Sequence, residues 1–181
     1  MMKLQIKILI LTTFSVFLFV SLSAQSAKNN TVSVSKSTQE LSHPTWDAGA
    51  KSEASGTIKP NGHPVNPPVR VEAGKDCIVD LTQPYTISGT LSGSLEINYR
   101  IIVHGPCGEP PGTYNEEWIA YGTFTGNIKD TLAEGKFTYT AKVRESGNID
   151  GEIVFGQGIT GELKVKGNFK DGMLSYKGSI N

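Results

Sequence analysis

The chain has 181 residues, with Lys+Arg and Asp+Glu balanced at 17 each, 20 glycines, 9 prolines and 2 cysteines. That balance, with no basic run, offers nothing to attract a polyanion and excludes a nucleic-acid partner as an expectation. The length suits one domain with its own core and is too short to expect two.

Residues 1–24 have the three parts of a secretory signal: Lys3 and Lys7, an apolar run over 8–20, and the exit Ser21, Leu22, Ser23, Ala24. The apolar run falls short of the roughly 20 residues that cross a bilayer. The sequence therefore predicts a peptide cleaved near Ala24, no membrane span in the mature chain, and a secreted or periplasmic destination. Its removal takes away two lysines and no acids, leaving 15 Lys+Arg against 17 Asp+Glu, a formal net charge of −2.

Residues 25–75 are rich in serine, lysine, asparagine and proline, as in Lys59, Pro60, Asn61, Gly62, His63, Pro64. Proline cannot donate to a central ladder, so this stretch reads as a flexible leader with one strand at 31–35 and one buried anchor, Trp46.

Export sends Cys77 and Cys107 to an oxidising compartment, which predicts a disulfide between them; two free thiols in a small reduced core are the alternative. His43, His63 and His104 lack the close pairing with cysteine that zinc modules use, so no metal and no cofactor are expected.

From residue 76 to 181 the sequence predicts strands at 77–82, 85–91, 95–104, 117–125, 134–145, 148–155, 161–170 and 173–180. Over 95–103 the apolar set is Leu95, Ile97, Tyr99, Ile101, Val103, and over 136–144 it is Phe137, Tyr139, Ala141, Val143. A period of two puts one set inward and the other in water. Ser92-Gly93, Ser146-Gly147 and Asp171-Gly172 read as two-residue turns between antiparallel neighbours. The one long connection, 104–115, holds Pro106, Pro110 and Pro111 and reads as a rigid loop that the disulfide would tie to the first strand. Glycines inside strands, such as Gly89, Gly122, Gly151, Gly167 and Gly178, suit the sharp bends of a small closed barrel better than a flat sandwich, the competing architecture. The predicted fold class is all-β, a single eight-stranded antiparallel barrel after the leader.

The runs Ile87-Ser88-Gly89-Thr90-Leu91-Ser92-Gly93, Gly122-Thr123-Phe124-Thr125-Gly126, Glu134-Gly135-Lys136-Phe137 and, most specifically, Gly158 through Gly161-Glu162-Leu163 to Gly167 carry a resemblance. The chain resembles, over about 85–180, a bacterial family of uncharacterised domains similar to the allene oxide cyclase barrel. The resemblance implies an eight-stranded antiparallel barrel of allene oxide cyclase-like or calycin-like type and a small apolar cavity. It does not carry the cyclase reaction.

Catalysis needs ionisable groups inside a pocket, and the strand charges fall almost wholly outward. The exceptions are Glu116, in parity with Trp118, and Glu145, in parity with Val143; both read more simply as solvated strand ends than as an acid and base. No nucleophile elbow and no phosphate loop is present. The inward aromatics Tyr99, Trp118, Phe124, Phe137, Tyr139, Phe155 and Phe169 are the candidate ligand-binding set. They would either fill the barrel or line a cavity for one small apolar ligand, with the hydroxyls of Tyr99 and Tyr139 as its polar contacts. The expected function is a small-ligand binder or interaction module of the cell exterior. The alternative is a cyclase or isomerase acting on a lipophilic substrate, and the oligomeric state is left open.

Overall fold

The computed structural model describes residues 51–181. The expected signal peptide, the strand expected at 31–35 and the expected anchor Trp46 lie outside the described residues. Nine strands follow in order: β1 Ser52–Pro60, β2 Val69–Ala73, β3 Asp76–Gly89, β4 Leu91–Val103, β5 Glu116–Ile128, β6 Thr131–Val143, β7 Asn148–Gln157, β8 Gly161–Asn168 and β9 Met173–Ile180. A short 3-10 turn, Phe169–Asp171, sits between the last two. Every neighbour pairing is antiparallel, and β1 pairs with both β9 and β3, which closes β1 and β3 through β9 into an eight-stranded barrel. β2 is a ninth strand, paired with the first half of β3 alone. Among the described residues no helix is long and apolar enough to cross a membrane.

The alternation seen in the sequence is the alternation of the wall. β5 and β6 bury every second residue along most of their lengths. The inward set includes Ile87, Leu91, Leu95, Ile97, Phe124, Ile153, Leu163 and Val165, each almost wholly buried. Each such side chain contributes about 1.5–3 kcal/mol by leaving water.

Three local expectations are corrected. The barrel begins at Ser52, inside the stretch read as leader, because the alternation of Ala54, Gly56 and Ile58, buried or half-buried on one face, supplies the closing strand. The predicted strands 77–82 and 85–91 are one strand, β3, that runs through Pro84. The Pro84 carbonyl accepts from the Asn61 N–H, so its missing N–H faces the same side, where β1 has ended, and costs the β3–β4 ladder nothing. Finally, β5 and β6 continue past the expected ends at 125 and 134 to a turn at Lys129-Asp130. Gly126 and Asn127 pair in register with Gly93 and Ser92 of β4.

At the closing seam Gly56 stands opposite Gly89. Gly89 has φ +116°, a conformation costly for residues with a side chain, and a Cβ there would lie 2.3 Å from the Ser55 carbonyl oxygen. The seam closes because neither residue has a side chain.

Candidate functional site

The register divides the interior into two halves. Toward the turns after β3, β5 and β7, Phe137 stacks edge-on against Phe155 at 5.3 Å and Phe124 against Phe155 at 6.4 Å. All three rings are buried, and inward glycines make their room: a Cβ on Gly122 would lie 2.5 Å from Phe137. This half is filled. The Tyr176 hydroxyl closes it by accepting from the Leu91 N–H at 3.0 Å across the barrel.

At the other end, where β3 begins and β4 ends, a cavity of about 260 Å³ remains. β3 gives it Val79, Leu81, Gln83 and Tyr85, and β4 gives Tyr99 and Ile101. Glu116 and Trp118 of β5 form its far wall, Phe169 its lip, and Pro106, Pro110 and Pro111 of the 104–115 loop its roof. The predicted disulfide is present: Cys77 in β3 is bonded to Cys107 in the loop, with Cα atoms 5.1 Å apart. It holds the roof against the wall.

The expected ligand-binding residues are thus split. Tyr99, Trp118 and Phe169 line the cavity, Phe124, Phe137 and Phe155 plug the opposite half, and Tyr139 backs the wall, its ring 6.1 Å from Tyr99 and 6.2 Å from Trp118. Phe169 is not in the last residues of β8, as parity suggested, but in the 3-10 turn, where it is 36% exposed and packs on Trp118 at 5.7 Å. Tyr85, Gln83 and the prolines were missed. Tyr85 and Gln83 share parity with Val79 and Ile87, a signal hidden by reading Pro84 as a break.

The two carboxylates part company. Glu145 lies exposed in the turn after β6, 3.4 Å from the Asn115 amide. Glu116 is 4% exposed. One of its oxygens accepts from the Gly112 N–H at 2.8 Å and the other from the Trp118 indole N–H at 2.7 Å. A carboxylate held this way fastens the roof loop to β5 and fixes the Trp118 ring. Replacing Glu116 by alanine strands two buried donors and is expected to cost about 2–4 kcal/mol, while Glu116→Gln, which keeps one acceptor, costs about half that. Urea unfolding midpoints of the two variants at unchanged m-value check the ordering.

Besides Glu116, the polar side chains that line the cavity are Arg70, Gln83 and Glu109 at its edges and the hydroxyls of Tyr85 and Tyr99. The Tyr99 hydroxyl donates to that of Tyr85 at 3.0 Å, and the Tyr139 hydroxyl is buried with no hydrogen-bond partner among the described residues. Burial pushes the Tyr99 hydroxyl well above the ordinary phenol value, and the neighbouring Tyr85 and Tyr139 hydroxyls push it further. Burial raises Tyr139 and Tyr85 as well, the latter opposed by its bond from Tyr99. A folded pKa above the unfolded value stabilises the fold below pH about 10 and is lost as the pH climbs beyond it. These three tyrosines are therefore expected to ionise only as the chain unfolds. The phenolate absorbance that these three contribute should then appear together with the loss of circular dichroism in one alkaline titration.

A wider trough of about 570 Å³ lies on the outer face of β4 and β5, beside Ile119 and Tyr121. Four of its polar side chains are paired with one another: Arg100 binds Asp80 through two bonds of 2.9 Å, and Thr82 donates to Asn98 at 2.7 Å. The mouth cavity is the better site because it is more enclosed and is roofed by the 104–115 loop. No protein-family model matches the chain, and no curated protein matches it significantly.

Proposed function

We propose that this protein is an exported barrel that holds one small apolar molecule in its mouth cavity, between Tyr99, Trp118 and Phe169 and beneath the loop tied by Cys77–Cys107. The observation that carries this reading is the asymmetry of the interior: aromatic side chains plug one half of an otherwise continuous barrel and leave a mostly apolar chamber in the other. Its volume lies just under the about 300 Å³ at which drug-sized pockets begin, so the ligand is small. The disulfide accords with life outside the cytoplasm. Kinship with allene oxide cyclase-like barrels would suit the same architecture. Binding is favoured over cyclase or isomerase chemistry because both oxygens of Glu116 are already bonded within the wall and burial keeps the tyrosines neutral.

Phenylnaphthylamine, an apolar dye that brightens on leaving water, tests the reading. Saturable uptake of one dye per chain is expected, with at least about tenfold weaker binding in Ile101→Trp, whose indole fills the chamber. Uptake unaffected by that substitution would place the dye elsewhere and sink the proposal.

A further inference from the structure

β2 pairs with β3 on one side, and among the described residues nothing pairs with its other side. The hairpin turn is Gly74-Lys75, with Gly74 at φ +69°, and Ala73 faces Asp76 across it. In a two-residue hairpin the closing pair exchanges hydrogen bonds and the next pair does not. The backbone groups of Ala73, Val71 and Val69 therefore serve β3, and those of Arg70 and Glu72 point out from the open edge. All five residues of β2 are exposed, Val69 at 60% and Val71 at 54%.

The edge is self-complementary. When a second β2 is laid antiparallel about Val71, the two residues whose backbone groups face outward meet each other: Arg70 opposite Glu72 of the copy, and Glu72 opposite its Arg70. Each such pair would exchange two backbone hydrogen bonds and set opposite charges across the strands. No ion pair of either side chain occurs among the described residues. On the outer face, Val71 stands in a row with Ile78 and Ile102, both half-buried. The two-fold would carry that row through Val71 and its copy into the partner's sheet. Any shift by one residue would put outward-facing backbone groups against spent ones and lose both charge pairs.

We propose that this chain forms a two-fold dimer by antiparallel pairing of β2 with β2 of a second copy, in the register that sets Arg70 against Glu72. Open edges are sites of strand addition; here the charges select another copy of this chain in one register.

Analytical ultracentrifugation of the purified full chain across a range of concentrations tests this, with circular dichroism to confirm that each variant is folded. The wild type is expected to sediment at twice the chain mass. Arg70→Glu and Glu72→Arg, each of which brings like charges together twice, should each weaken association at least about tenfold. The double reversal Arg70→Glu with Glu72→Arg restores both pairs and should restore the dimer. Glu72→Pro removes an N–H that the hairpin does not use and should give a folded monomer. A monomer at every concentration overturns the proposal, including the case where residues 1–50 or another peptide cover the edge. So does a dimer indifferent to the single reversals, or one that the double reversal fails to restore.

Discussion

Replacing Cys77 and Cys107 together by alanine is expected to lower the unfolding free energy by about 3–4 kcal/mol and the melting temperature by about 10–15 °C. The bridge spans a sequence separation of 30, and a crosslink of that size removes loop-closure entropy from the unfolded chain by about this amount. The native state loses more than a tether. Cys107 belongs to the loop that roofs the cavity, and the loop's remaining ties include the His104 N–H to the Asn115 carbonyl at 2.9 Å, the Gly112 N–H to Glu116 at 2.8 Å, and contacts of His104 with Asp76 and of Asn115 with Glu145 at its two ends. Dye uptake should therefore weaken in the double variant even at temperatures where the barrel is folded. Calorimetry with and without reductant on the wild type separates the two effects, since reduction should reproduce the shift without changing any side-chain volume beyond the sulfur bond itself.

Gly122→Val is expected to be a severely damaging substitution in the barrel wall, costing more than about 4 kcal/mol. A Cβ at this position would lie 2.4 Å from the Glu96 carbonyl oxygen and 2.5 Å from the Phe137 ring. The ring has nowhere to go, because it is packed on Phe155 in the filled half; the carbonyl belongs to the β4–β5 ladder and cannot yield without breaking it. Gly156 supplies the control. A Cβ there meets nothing within 4 Å, so Gly156→Ala should be neutral or stabilise by up to about 1 kcal/mol through the unfolded chain. Chemical denaturation of the two variants side by side gives the contrast, and similar losses in both would contradict the close-packed interior.

The architecture was legible because it rests on period two, and period two survives in the sequence wherever one face is buried. Leu95, Ile97 and Tyr99, or Phe137, Tyr139 and Ala141, declare their face without help from distant residues. What was misread depended on context that local pattern does not carry. Pro84 is a strand breaker in isolation, yet it is harmless at a point where the neighbouring strand has stopped. The β1 segment is short on large apolar residues because its inward Gly56 makes room for the Tyr176 ring, whose Cε1 would lie 2.7 Å from a Cβ there. A strand built around a partner's bulk has little hydrophobic signature of its own.

The candidate site was legible in its residues but not in its division. Parity placed Trp118, Phe124 and Phe137 on one interior, which is correct; only register assigns Trp118 to the chamber and the two phenylalanines to the plug. Glu116 stood out as an inward carboxylate, but the Trp118 indole and Gly112 amide that occupy it come together only when the loop folds over the mouth. Phe169 was placed by strand parity, and the αL conformation of Gly172, at φ +61°, with the Asn168 side chain accepting from the Lys170 N–H, turned it instead into the lip of the cavity.

Native mass spectrometry of the protein purified from its native cells tests the central claim most directly. The account predicts a wild-type chain that carries a small added mass, released on denaturation and absent from Ile101→Trp. A bare chain in both proteins, together with no saturable dye uptake by the wild type, would contradict it.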